Sequence, residues 1–181
     1  MNDRLRLLDA ISGSYYFAIG LFYPLYAAFI RDIGGSTFIA GSAFSAYSIA
    51  AGIMIYFFSR WERGKDQKER LLVVGYAVAT LCFAGYYVVE TPMQMVLVQA
   101  VLGGAVALRT PAFDDVYSRS IDGDDYAWGW GHWESMYWIV SGISAFTGGF
   151  IVTRYGFDTL FIMMAGLGAA STVLAARLAQ Q

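Results

Sequence analysis

Apolar residues run along this chain in unbroken stretches separated by short polar breaks, instead of recurring every third or fourth position as on a helix with one wet face. A helix needs about 20 mostly apolar residues to cross roughly 30 Å of hydrocarbon. Six such stretches are expected to span a bilayer, at residues 8–30, 38–58, 71–89, 92–117, 127–152 and 159–178. The punctuation between them has physical causes. Gly34 and Gly35 interrupt after the first span, Pro92 stands where a first helical turn tolerates it, and the polar run from Asp122 to Asp125 links the fourth span to the fifth. Lipid-facing open strands are excluded, because their backbone groups would find no partner in hydrocarbon. The expected fold class is therefore an all-α membrane protein, with one transmembrane domain over residues 1–181.

Composition sharpens this picture. The 181 residues are 57% apolar and only 14% charged, too little charge to coat a soluble globule. A net charge of −2, with Lys and Arg clustered only between two spans, argues against a nucleic-acid surface. The single cysteine, Cys82, has no internal disulfide partner and apolar neighbours, so a buried thiol is expected. Arg4 and Arg6 precede an apolar run too long for a secretory leader and without a small-x-small cleavage site, which is read as an uncleaved first helix. No Walker loop, paired zinc ligands or nucleophile with its base stands at usable spacing, so neither enzyme activity nor a metal or cofactor is expected. Asp122, Gly123, Asp124 and Asp125 lack the twelve-residue calcium pattern and read as a solvated turn.

Basic loops tend to stay in the cytoplasm. With six spans threaded, Arg4, Arg6, Arg60, Arg63, Lys65, Lys68, Arg70, Arg119 and Arg177 fall on one side, and only Arg31 and Arg154 on the other. Both termini are thus expected in the cytoplasm, with the chain in a bacterial or archaeal inner membrane.

A shift of about 90 positions lays the second half on the first. Ser45, Tyr47, Ile49, Gly52 and Ile53 then meet Ser135, Tyr137, Ile139, Gly142 and Ile143, while Gly13 meets Gly103 and Gly41 meets Gly131. The frame superposes three early spans on three late ones. Since three is odd, the second unit starts from the opposite side, giving an inverted 3+3 repeat with units near 1–90 and 91–181.

These residues resemble the amino-terminal half of the major facilitator superfamily over nearly the whole chain. The segment Phe58-Ser59-Arg60-Trp61-Glu62-Arg63-Gly64-Lys65 is similar to that family's Gly-x-x-x-Asp-Arg-x-Gly-Arg loop, with Phe58 for the glycine, Glu62 for the aspartate and one residue fewer before Gly64. In the fourth span, Gln99 to Ala105 resembles the family's Arg-x-x-x-Gly motif, with Gln99 in the arginine's place. Gly148-Gly149-Phe150, then Arg154-Tyr155-Gly156-Phe157-Asp158-Thr159-Leu160-Phe161, resembles the family's turn from fifth to sixth helix. Family members usually pair two such halves around a central cavity. The resemblance implies one half of that bundle, which needs a second copy as partner or is a fragment of a longer protein.

Transport requires polar groups on a water-accessible path near mid-membrane. Ser12, Tyr15, Tyr16, Tyr23 and Tyr26 share a face of the first span, which lines the cavity in the family, so these tyrosines are expected to face substrate or to form interfacial and interhelical contacts. Gln99 and Trp138 join the expected cavity lining. Glu134 stands about two turns inside the fifth span and is expected to couple protons or to gate, with Arg109 pairing to it or to Asp114. His132 points away from Glu134 on the helix and is read as structural. Small residues mark close helix approaches in lipid. Gly41, Ser45, Ser48 and Gly52 form one such stripe and Gly131, Ser135, Gly142 and Gly149 another, expected to meet across a homodimer interface. The expected function is a half-transporter moving a small solute by alternating access as a homodimer, with proton coupling at Glu134. The alternative is a non-transporting membrane scaffold or partner subunit, favoured by Gln99 and the altered basic loop.

Overall fold

The computed structural model describes residues 2–63, 67–121, 123 and 125–180. The basic-loop positions Gly64 and Lys65 and the linker positions Asp122 and Asp124 lie outside the described residues. Those described build α1 (Asp3–Phe22), a 3-10 turn (Tyr23–Leu25), α2 (Tyr26–Asp32), α3 (Thr37–Trp61), α4 (Lys68–Gly85), a second 3-10 turn (Tyr86–Val88), α5 (Pro92–Ser120) and α6 (Tyr126–Leu178).

Four of the five long helices start where a polar side chain takes up an orphan N–H, and α4, after Gln67, has no such cap. Asn2 accepts from the Leu5 amide, Ser36 from Ile39 and Asp125 from Trp128. Thr91 and Gln94 form a full capping box, with Pro92 in the first turn, where its missing N–H costs nothing. The first expected span is interrupted. Pro24 tightens the chain into the turn that joins α1 to α2.

Five helical segments among the described residues are long and apolar enough to cross a membrane, where the sequence predicts six. The difference lies in α6, which runs for 53 residues. Straight, it would extend roughly 80 Å, far beyond one bilayer. It is not straight, because two helices meet in it across a kink at Gly156, whose φ of 82° and ψ of 175° are open to glycine and strained for other residues. The break expected between 152 and 159 is therefore a single residue and not a loop. The arm before it, 126–155, lies along α1, with the Trp133 indole N–H donating to the Ser12 hydroxyl at 3.2 Å. The arm after it, 157–178, lies along α4, where the Thr80 and Thr172 hydroxyls are 3.0 Å apart.

Lipid offers helices no hydrophobic reason to associate, so close packing has to hold them. Gly148 rests on the Leu21 backbone and Gly103 on that of Tyr47 and Ala51, contacts that any added methyl would break. Between these seams, Phe22, Phe29, Tyr86 and Phe161 form a buried aromatic cluster with ring centroids 4.9 to 5.7 Å apart. Such pairs contribute about 0.5–1.5 kcal/mol each beyond area burial.

A cluster of ion pairs stands at one end. Arg4 pairs with Glu69, and Lys68 and Arg119 both reach Asp115, at 2.8 and 2.9 Å. These contacts bring the starts of α1 and α4 to the end of α5. Glu62, at the family loop's acidic position, is buried just beyond α3. Burial holds its carboxyl above the usual range, nearby Lys68 opposes that shift, and Asp115 adds to it.

Candidate functional site

A cavity of about 560 Å³ opens between α1, α3, α5 and the first arm of α6. Its walls include Tyr15, Tyr16 and Tyr23 from the first span, Tyr47 from α3, Arg109 and Thr110 from α5, and Tyr137, Trp138 and Ser141 from α6. This volume is in the range of small-molecule sites, and the lining has their usual make-up of aromatic walls with few polar groups. A neighbouring cavity of about 290 Å³ shares Tyr23, Phe44 and Tyr47 with it and adds Tyr26, Tyr86 and Gln99.

Arg109 is the anchor of the larger cavity. Its approach to α4 depends on Gly75, where an added Cβ would stand 2.8 Å from that of Arg109. The guanidinium carbon lies 4.0 Å from the centroid of the Tyr15 ring, 5.4 Å from that of Tyr16 and 5.5 Å from that of Tyr76. Arg109 is only 5% exposed. Pro111, two residues on, removes one backbone donor from α5 beside the cavity.

The expected pairing of Arg109 with Glu134 or Asp114 is not a close ion pair, although Asp114 lies within reach of the guanidinium's charge. Among the described residues no carboxylate lies within 4.0 Å of the guanidinium, and aromatic faces surround it instead. Glu134 is exposed on α6, and Asp114 is exposed on α5. The geometric reason is position along the helix, since Glu134 shares a face with Tyr137, Trp138 and Ser141 but stands about a turn before them. Tyr137 and Ser141 turn into the cavity from α6, and Glu134 does not join them in its lining.

The other expected residues divide. Tyr15, Tyr16, Tyr23 and Trp138 line the larger cavity, while Tyr26 and Gln99 line the smaller one with Tyr23. Gln99 is buried and accepts a long bond of 3.4 Å from the Tyr86 hydroxyl. Ser12 belongs to the α1–α6 seam and not to the cavity, since it is fully buried, bonded to the Leu8 carbonyl and capped by Trp133. Gly41, Ser45, Ser48, Gly52, Gly131, Ser135 and Gly142 are exposed and Gly149 is half-buried.

Two features escaped the sequence. Tyr47 and Tyr137 both line the larger cavity, and their correspondence under the internal shift was the available signal. The buried Asp9 bridges His132, at 3.2 Å, and the Tyr117 hydroxyl, at 3.3 Å, joining α1 to α5 and α6. Nothing in local spacing brings Asp9 and His132 together, since they stand 123 residues apart.

Comparison with curated proteins gives no match. A family model described as Major Facilitator Superfamily matches residues 9–180, which is nearly the whole chain. An all-helical apolar architecture, a cavity walled by several long helices and that match agree: this integral membrane protein belongs to the major facilitator superfamily, a family of transporters.

Proposed function

We propose that this chain is a half-transporter, moving a small solute by alternating access as a homodimer whose two copies face each other across the larger cavity. The observation that carries the reading is the contrast between two sets of glycines. Gly103 and Gly148 are jammed against backbone of the same chain, whereas a Cβ placed on Gly41, Gly52, Gly131, Gly142 or Gly149 would meet nothing within 4 Å. Stripes of small residues on α3 and on the first arm of α6 are thus left uncommitted beside the cavity. Small residues on a membrane helix favour close approach by another helix, and a second copy supplies one.

Counting the arms of α6 separately gives six crossings, and the pairing of helices supports an inverted repeat. Under the 90-residue shift α1 corresponds to α5, and α3 to the first arm of α6. The first arm of α6 lies on α1 and α3 on α5, so each pairing is the image of the other. The third pair, α4 and the second arm, packs on itself through Thr80 and Thr172. The gathering of Arg4, Lys68 and Arg119 at one end favours that end as cytoplasmic, with both termini there, in a bacterial or archaeal inner membrane. Glu134 is our candidate for proton coupling, a reading supported by its exposure on the arm of α6 that carries the stripe of small residues.

Native mass measurement in detergent, with cysteine crosslinking between positions 48 and 135, tests the assembly. A dimer crosslinked between copies is expected. A monomer at all concentrations overturns the reading. Gln99, in place of the family's arginine and occupied with Tyr86, favours the second reading of a non-transporting scaffold, to which an intact dimer without uptake of any solute would point.

A further inference from the structure

We infer that the larger cavity binds an organic anion, a carboxylate or phosphate on a small aromatic or apolar body, with Arg109 as its cationic anchor. The inference rests on the carrier reading for its purpose and gives that reading a solute class. Three buried polar atoms lie together at Arg109 and make no hydrogen bond of ordinary length among the described residues: the Arg109 Nε and the Tyr15 hydroxyl, from residues that line the cavity, and the Tyr76 hydroxyl behind them. Tyr15 and Tyr76 are each 1% exposed, and their rings meet edge to face 5.5 Å apart beside the guanidinium. Arginine only donates and a phenol donates most readily, so the missing complement is an acceptor carrying negative charge.

The electrostatics agree. A buried cation is tolerated when paired, and the aromatic faces around Arg109 offset only part of its desolvation. No residue in the cavity wall carries a carboxylate, and Asp114, which feels the charge of Arg109 from outside that wall, makes no ion pair with it within 4.0 Å. An anion from the cavity would complete the pair, with the Tyr15 hydroxyl as a further donor, and the flanks of Tyr16, Tyr137 and Trp138 would take up an apolar body. A cation would be repelled by the guanidinium, and a neutral sugar would offer acceptors but leave the charge unpaired. The negative group can reside on a free solute or on a lipid headgroup arriving from the open side, and the chemistry at Arg109 is the same for both.

Calorimetric titration of the purified full chain in neutral maltoside detergent tests this. The probes are benzoate, phenyl phosphate, the uncharged benzamide, and dihexanoyl phosphatidylglycerol as a soluble anionic lipid. Benzoate or phenyl phosphate is expected to bind, benzamide is not, and Arg109→Gln is expected to weaken binding by about ten-fold or more, as for loss of a charged hydrogen bond. Binding of the lipid probe alone, with the same dependence on Arg109, upholds the anion site and assigns it to a headgroup. Benzamide binding as tightly as benzoate, no anion binding, or affinity unchanged by Arg109→Gln overturns the inference. Tyr15→Phe keeps the ring and removes only a donor, so it decides the matter if Arg109→Gln does not fold: unchanged benzoate affinity in Tyr15→Phe overturns it. Because titration reads binding without transport, a protein that binds these anions but never carries them into vesicles refutes the carrier reading and leaves the anion site standing.

Discussion

Glu62 illustrates how a loop residue is governed by its burial. Its folded-state carboxyl titrates above the ordinary value of 4.5. The folded protein therefore holds the proton more tightly than the unfolded chain, and the associated stability is present below that value and lost as pH rises through the raised one. Glu62→Gln is expected to raise the melting temperature at neutral pH and to flatten its decline between pH 4.5 and neutrality, measured by thermal unfolding in detergent. An identical pH profile in both proteins would remove Glu62 from the account. Glu134 belongs to a different environment, the exposed side of α6. If it couples protons, Glu134→Gln abolishes the pH dependence of uptake in proteoliposomes while leaving the cavity lining intact. Uptake that still follows pH would shift attention to the Asp9 and His132 pair, which sits buried between α1 and α6.

At the level of helices, glycine position separates internal seams from outward faces. Gly103→Val drives a side chain into the backbone of α3 and is expected to destabilise the single chain by about 1–3 kcal/mol, as overpacking does. Gly142→Val meets nothing within its own chain, so the unfolding of a monomer should hardly change, while dimer dissociation measured by dilution should strengthen or weaken markedly. Equal effects of the two substitutions on unfolding would erase the distinction. Helix positions were legible in the sequence because apolar length is a strong signal, and the caps Ser36 and Thr91 stand where their residue types predict. The turn at Tyr23–Leu25 was not, since one proline within an apolar run is compatible with either a kink or a continuous span. Nor was the tight joint at Gly156, where a polar patch reads as a loop until its backbone angles are known.

For the molecule as a whole, helical phase groups the tyrosines of the first span on one segment, of which Tyr15, Tyr16 and Tyr23 stand in the wall of the larger cavity and Tyr26 in that of the smaller. It misjudged the company of Arg109, because pairing was inferred from depth along separate helices and only the crossing geometry decides which side chains meet. The aromatic surroundings of that arginine come from α1 and α4, which no local pattern connects to α5.

One consequence follows from Arg109 lying in a wall that the proposed assembly builds twice. Two-fold symmetry would duplicate the guanidinium, so a solute on the axis would meet a matched pair of positive poles, and any inherited change would strike both at once. Joining two copies head to tail in one gene would lift that constraint. A tandem protein altered in a single half could then reveal whether one pole suffices or whether both must grip the cargo together.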